Sequence, residues 1–139
     1  GLPFETLPVG RGRRLREGRD VALVTVGTVG NAAARAAEHA AAQGVEAAHY
    51  DLRWVKPLDT ELLDEVGRTF RRVITVEDGC LRGGVGEAVA AYFNARGYDA
   101  HVTCLGIGDA WVEHGTPEQL HALCGYDEES IFRALTQPV

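Results

Sequence analysis

Four stretches rich in apolar and β-branched residues recur along the chain, separated by polar or alanine-rich intervals. They cover residues 21–26, 45–52, 73–76 and 101–107, of which the last is the weakest. The first and third are almost continuously apolar, which is typical of strands that are buried on both faces of a sheet. The pattern therefore predicts four strands.

Helical patterns occupy the intervals between these stretches and the C-terminal part of the chain. Asp59 precedes one of them as a predicted N-cap, and Gly44 and Gly97 follow two others as predicted helix ends. The segment 116–119, with the sequence TPEQ, has the form of a capping box with proline in the first helical position. The predicted helices cover 31–43, 60–70, 84–96, about 116–125 and, with Asp127 as N-cap, a last segment to about Leu135.

The alternation of strands and helices predicts an α/β fold in which right-handed crossovers join mostly parallel strands. Residues 7–17, which contain Gly10, Gly12 and several arginines, are predicted to add an edge strand, where charge discourages further pairing. No repeat or linker interrupts the pattern, so residues 1–139 are predicted to form a single domain.

Composition narrows the classes of function. The chain has 139 residues, of which 45% are hydrophobic and 24% charged, and its formal net charge is −6. An acidic surface repels phosphates, so neither nucleic acid nor an anionic membrane is an expected partner. The N-terminal arginines are interpreted as a solvated strand face. No apolar run approaches the roughly 20 residues that span a bilayer.

The cysteines indicate the cellular compartment, and the first residue indicates how the chain was produced. Cys80, Cys104 and Cys124 form an odd set without framework spacing, which indicates a reducing compartment, and we expect a cytoplasmic protein. The chain begins with Gly1 and contains no methionine. We therefore expect a processed chain or an excised fragment.

The glycine-rich segment 76–89, VEDGCLRGGVGEAV, resembles a phosphate-binding loop because it lies between a strand and a helix. It lacks the lysine and hydroxyl residue of a P-loop, and Val89 stands where a dinucleotide fingerprint needs its third glycine. Glu87 in the first helical turn would also compete with a bound anion. We expect a tight packing turn, with an anion site as the alternative.

Several ionisable residues are predicted at the carboxyl edge of the sheet, where open α/β sheets bind ligands. A solvated rim or a subunit contact is the expected role of this set, although Glu113 and His114 could form an acid–base pair. A zinc site built from the His-x-x-Cys spacings at 101–104 and 121–124 is not expected, because residues three apart on a strand point to opposite faces. The predicted edge residues are Glu77, Asp78, Asp109, Glu113 and His114.

The segment 51–59, DLRWVKPLD, alternates charged and apolar residues directly after a predicted strand. Asp51 and Arg53 could pair with each other or across an interface. Trp54 is a large apolar side chain in a predicted loop, and we expect it to anchor a contact between domains or subunits.

This last segment resembles the transketolase C-terminal domain family, and other stretches resemble the same family in the same order. They are LPVGRGRRLREGRDVALVTVGT at 7–28, VITVEDGCLRGGVGEAV at 73–89 and GIGDAWVEHGTPEQLHALCGYDEESI at 106–131. The closing stretch, with its G-x-x-D-x-x-x-x-H-G-T core, is most similar to a branch of thiamine-dependent synthases.

The resemblance implies a fragment of a three-domain enzyme that condenses pyruvate with glyceraldehyde 3-phosphate, using thiamine diphosphate and magnesium bound by the other two domains. It implies a five-stranded, three-layer α/β domain with one antiparallel edge strand. The partners would be the pyrimidine-binding domain and a second subunit. No catalytic, cofactor-binding or metal-binding residue is expected in this chain. The expected interface or anion contacts are Arg53, Trp54, Gly83, Gly84 and His114.

Three alternatives remain open at this point. The chain could be the equivalent domain of a transketolase or of a 2-oxoacid dehydrogenase beta chain, which share the family. It could also be a free-standing module that binds an anion at the glycine-rich segment.

Overall fold

A computed structural model of the chain describes residues 12–52, 58–80, 84–107 and 128–137. The strands in these ranges are β1 (Arg13–Arg16), β2 (Val21–Val26), β3 (Ala47–Asp51), β4 (Arg72–Cys80) and β5 (His101–Ile107). The helices are α1 (Gly30–Ala42), which follows a 3-10 turn at Gly27–Val29, and α2 (Thr60–Thr69), α3 (Val85–Arg96) and α4 (Glu128–Thr136).

The five strands form one sheet in the order β1-β3-β2-β4-β5. Strand β1 runs antiparallel to β3, whereas the other neighbours are parallel. The predicted α/β sheet with an antiparallel edge strand is therefore confirmed. Some strand boundaries differ from the prediction: β3 is shorter than the predicted 45–52, and β4 continues past Val76 to Cys80 and takes Gly79 into the strand.

One face of the sheet is covered by α1 and α4. Helix α1 presents Ala33, Ala36, Ala37 and Ala40 to this face, all fully buried, and their spacing puts small side chains on one stripe. Such small residues let the helix lie close to the strands. The core of this face includes Val21, Leu23, Ile74, Val76, Ile131 and Leu135.

The other face is covered by α2 and α3, which completes three layers. Leu63 and Val66 of α2 and Val89 and Phe93 of α3 are buried against this side of the sheet. The ring of Tyr98 packs so closely on α2 that a Cβ added to Gly67 would lie 2.4 Å from it. Gly97 ends α3 with φ +75°, a left-handed conformation that suits glycine.

Helix α4 is attached to the amino end of β4 by Arg72. Its guanidinium group donates hydrogen bonds to the carbonyl oxygens of Ala134 at 2.7 Å and Leu135 at 3.4 Å. A cation at this position also complements the helix dipole. The structure thus confirms the last predicted helix, whereas the helix predicted over 116–125 and the cap at Asp127 lie outside the described residues.

Within the described ranges, no helix has both the length and the apolar character needed to cross a bilayer.

Candidate functional site

The carboxyl end of β4 meets the beginning of α3, and Glu77 joins the two. The backbone N–H of Val85 donates to Glu77 Oε2 at 2.8 Å, and that of Gly86 donates to Oε1 at 3.3 Å. The Glu77 side chain is buried, with only 7% of the residue exposed. A strand carboxylate therefore takes up two of the N–H groups that a helix leaves free at its first turn.

Close packing against the sheet also fixes the start of α3. A Cβ added to Gly86 would lie 2.4 Å from Cys104 Sγ and 2.7 Å from Thr75 Oγ1. Thr75 and Cys104 are paired neighbours on β4 and β5. Only a glycine lets the first turn of α3 approach the sheet this closely, which is the packing role predicted for the glycine-rich segment.

These contacts show whether the start of α3 is free to bind a phosphate. The two N–H groups that would bind a phosphate already bind a carboxylate of the same chain, and a phosphate would meet its negative charge. The geometry argues against a phosphate at these two amides. It also corrects one expectation, because Glu77 was expected on a solvated rim and is instead buried as the cap of α3.

Asp59 is a second buried carboxylate that accepts two backbone hydrogen bonds, one from α2 and one from the segment before β1. Its Oδ1 accepts from the Leu62 N–H at 3.1 Å, which confirms the predicted N-cap of α2. Its Oδ2 accepts from the Gly12 N–H at 2.8 Å, which ties the segment just before β1 to the same carboxylate. One buried side chain thus positions both α2 and the edge strand.

A buried polar pair lies between β2 and β3. Thr25 Oγ1 and His49 Nε2 are 2.9 Å apart, and each residue is 1% exposed. Burial lowers the pKa of His49 to about 4, the nearby charge of Asp51 opposes this shift, and the charge of Arg16 adds to it. His49 is therefore neutral at pH 7. Because this pair is enclosed, it cannot reach a substrate.

The predicted contact residues are only partly covered by the structure. Gly84 is the N-cap residue of α3, in an extended conformation, and its carbonyl oxygen accepts from the Ala88 N–H at 3.2 Å. Asp51 lies 3.8 Å from Arg13 across the β1–β3 pair. The predicted residues that lie outside the described ranges are Arg53, Trp54, Gly83, Asp109, Glu113 and His114.

The described residues do not assemble a metal centre. No group of three or more His, Cys, Asp or Glu side chains comes together in them. A cavity of about 500 Å³ lies between β1, β3 and α2, with Tyr50 and Phe70 among its lining residues. The charges around it are mixed, since Arg14 and Arg19 face the cavity together with Glu17, Glu46 and Glu65, so it selects no single ligand charge.

The fold and this site define a three-layer α/β domain. At the carboxyl edge of its sheet, helix α3 is capped by Glu77 of strand β4. Residues 10–131 match the model of the family described as transketolase, C-terminal domain. The chain belongs to the transketolase C-terminal domain family.

Curated relatives are similar in sequence over nearly the whole length of this chain. It is 48% identical over 136 residues to a 1-deoxy-D-xylulose-5-phosphate synthase of Bacteroides fragilis, covering 97% of this chain and 21% of the relative. It is 42% identical over 130 residues to the synthase of Carboxydothermus hydrogenoformans, covering 94% and 21%. The chain thus spans about a fifth of the length of these relatives.

A solved structure described as a split-gene transketolase, inactive beta4 tetramer, has the same fold. It superimposes with a TM-score of 0.89 at 33% sequence identity, covering 99% of this chain and 45% of the other. This similarity agrees with the five-stranded sheet and its antiparallel edge.

Proposed function

We propose that the chain is the C-terminal domain of a 1-deoxy-D-xylulose-5-phosphate synthase. That enzyme would condense pyruvate with glyceraldehyde 3-phosphate, release carbon dioxide and form 1-deoxy-D-xylulose 5-phosphate, a precursor of isoprenoids, thiamine and pyridoxal. The observation that carries the proposal is 48% identity to such a synthase over 97% of the chain.

Thiamine diphosphate and magnesium would supply the carbanion chemistry of the full-length enzyme. The described part of this chain does not fit them. Its acidic side chains do not converge on a metal position, and the α3 amides are bound to Glu77. The proposal assigns the cofactor site to other domains of the full-length enzyme.

The proposed role of this domain is structural. It packs on the pyrimidine-binding domain of the same enzyme and helps to form a homodimer in the cytoplasm. The proposed contacts are Arg53, Trp54, Gly83, Gly84 and His114. Gly84 is the N-cap residue of α3 at the carboxyl edge of the sheet, the edge at which open α/β sheets bind ligands.

A transketolase domain is the second candidate, because the solved structure with the same fold is described as a transketolase. Its identity of 33% is lower than the 48% shared with the synthase. The two candidates differ in the substrates that the full-length enzyme converts.

The test is an assay of the full-length protein. With thiamine diphosphate and magnesium, pyruvate and glyceraldehyde 3-phosphate should yield carbon dioxide and 1-deoxy-D-xylulose 5-phosphate. Transfer of two-carbon units between sugar phosphates, without use of pyruvate, would favour the transketolase. The present chain alone should give no saturable heat with the cofactor and magnesium. A micromolar dissociation constant, about −8 kcal/mol, would contradict the structural role.

A further inference from the structure

The two edge strands of the sheet differ in how they are protected against pairing with another chain. Strand β1 has four residues, three of them arginines, and its pairing with β3 is irregular between Arg14 and Arg16. Short length, charge and irregular pairing are features by which proteins block an edge strand. Strand β5, at the opposite edge, has seven residues and contains no Asp, Glu, Lys, Arg or Pro. The edge formed by β5 therefore lacks the protection that β1 has.

The side chains of residues 101–105 of β5 are also less covered than those of the neighbouring strand. His101 and Thr103 are exposed, and the other three residues are half-buried. By contrast, the paired residues 73–76 of β4 are all buried. Within the described ranges, β5 has a strand on one side only. The outer side of β5 can therefore accept a further strand.

The hydrogen-bond pattern shows which backbone groups face this outer side. The N–H of His101 donates to the carbonyl oxygen of Arg71 at 2.7 Å, so residue 101 turns its backbone groups towards β4. The register with β4 is regular from residue 101 to residue 105, and the direction of the backbone groups alternates along a strand. Val102 and Cys104 therefore direct their N–H and C=O groups outwards. These donors and acceptors lie symmetrically about Thr103.

We propose that the β5 edge, defined as residues 101–105, pairs with the β5 edge of a second copy of this chain. The two strands run antiparallel about a two-fold axis at Thr103 and join the two five-stranded sheets. Val102 of one copy exchanges two hydrogen bonds with Cys104 of the second copy, and the symmetric pair exchanges two more. This inference rests on the proposed function for the existence of a homodimer, and it adds a surface to the contacts named there.

Charge favours a second copy as the occupant of this edge. Residues 102–105 are uncharged, so antiparallel pairing of the β5 edge with itself brings no like charges together. Thr103 lies opposite Thr103 of the second copy, which is a favourable cross-strand pair. Self-pairing of β1 would instead bring the arginines of two copies close together, and an acidic partner would be attracted to β1 rather than to β5. Pairing about a two-fold axis also closes the assembly at a dimer.

The experiment introduces one cysteine, Thr103→Cys, into the full-length protein. In the proposed pairing, the two copies of residue 103 form a non-hydrogen-bonded pair with Cα atoms about 4.5 Å apart, a separation that a disulfide can span. Mild oxidation should therefore link two chains through the introduced cysteines, as identified by peptide mass spectrometry. His101→Cys is the matched control on the same face of β5. Its two copies would lie about 14 Å apart and should not be linked.

A second variant, Thr103→Lys, tests whether the pairing contributes to the dimer. Two like charges would lie directly opposite each other at the two-fold axis. The dissociation constant of the dimer, measured by analytical ultracentrifugation, should therefore rise about fivefold or more. Leu15→Lys adds the same charge at an exposed position of β1 and should leave the dissociation constant unchanged.

Absence of the disulfide in oxidised Thr103→Cys would overturn the inference, because the two β5 edges would then not meet. A disulfide from the introduced cysteine to another part of the same chain would also overturn it, since that part would then cover β5. An unchanged dissociation constant in Thr103→Lys would have the same consequence. Failure of the proposed function is a separate result. It would appear as a full-length protein that forms no 1-deoxy-D-xylulose 5-phosphate, although its Thr103→Cys variant is linked.

Discussion

The hydroxyl oxygen of Thr25 lies 2.9 Å from Nε2 of His49, and both side chains are buried where β2 and β3 run side by side. Two strands of the central sheet thus share a buried polar contact. The pair is most stable while the imidazole is neutral, since the cost of burying its charge outweighs the favourable effect of the nearby Asp51 charge.

The first prediction concerns the pH dependence of stability. The pKa of His49 is about 4 in the folded chain, below the ordinary histidine value of 6.5. The unfolded state therefore binds more protons between these values, and stability is full above pH 6.5 and falls as the pH drops towards 4. The difference in pKa corresponds to about 3 kcal/mol. Urea unfolding at pH 7 and pH 4.5 should show most of this loss.

His49→Gln tests the assignment because glutamine does not titrate. It should lower stability at pH 7 yet flatten the decline between pH 6.5 and 4. The matched control is His101→Gln at an exposed position of β5, which should leave the slope unchanged. An unaltered slope in His49→Gln would show that another group causes the acid sensitivity.

The second prediction concerns Gly86. Alanine at this position would place Cβ 2.4 Å from Cys104 Sγ and 2.7 Å from Thr75 Oγ1, so the helix or the strands must shift. Gly86→Ala should destabilise the chain by about 1–3 kcal/mol in denaturant unfolding, the usual cost of overpacking. Adding Cys104→Ala removes the sulfur and should recover part of that loss.

Gly30 in α1 provides the matched comparison. A Cβ there would meet Thr25 Oγ1 at 3.9 Å, an ordinary contact. Gly30→Ala should be neutral or stabilise the chain by up to about 1 kcal/mol, because alanine favours the helix. Equal effects of the two substitutions would contradict the close packing of α3 on the sheet.

The third prediction separates the two hydrogen bonds of Asp59. Asp59→Ala removes both the cap of α2 and the bond to the Gly12 N–H, and should cost roughly 2 kcal/mol. Asp59→Ser can still cap Leu62 but is too short to serve both donors, so its loss should be smaller. Amide exchange should then be fast at Gly12 and slow at Leu62. Fast exchange at both amides would show that serine does not retain the cap.

The strands and helices could be predicted where neighbouring residues in the sequence determine them. Helix α2 follows from Asp59 and from the spacing of Leu63 and Val66, which the structure buries on one face. The apolar run of β2 is buried throughout its first five residues. The end of β4 was predicted too early, because pairing of Cys80 with Ile107 on β5 extends it through polar residues.

The site contacts were less predictable because they join residues that are distant in sequence or on different elements. Glu77 follows a buried strand and precedes a helix that starts with glycine, a pattern that can indicate a strand-supplied cap. His49 shares one face of β3 with Ala47, and the first four residues of the strand are all buried, so the burial of His49 follows from the position of β3 inside the sheet. Its bond to Thr25 depends on the register of β2 and β3, which the sequence alone does not give.

The fourth prediction concerns Asp64, which connects α2 to the end of α3. Asp64 Oδ1 accepts hydrogen bonds from the Tyr98 hydroxyl at 2.7 Å and the Tyr92 hydroxyl at 2.8 Å, and Arg96 Nε lies 3.4 Å away. The bond from Tyr98, followed by that from Tyr92, lowers the pKa of the Asp64 carboxyl. Tyr98→Phe and, to a smaller extent, Tyr92→Phe should raise this pKa towards the ordinary value of an aspartate, as measured by NMR titration of the carboxyl carbon.

The sign of the accompanying stability effect follows from the lowered pKa. The carboxylate form is favoured in the folded state, so its contribution is present above the ordinary pKa of an aspartate and is lost as the pH falls through the folded value. The melting temperature of the double variant Tyr92→Phe/Tyr98→Phe should therefore lie below that of the unmodified chain at pH 7, and the gap should narrow in strong acid. Tyr50→Phe is the control, since the Tyr50 hydroxyl interacts with Arg14 and Glu65 instead. An Asp64 pKa that stays low in the double variant would assign the shift to the charges of Arg96 and Arg68 rather than to the tyrosines.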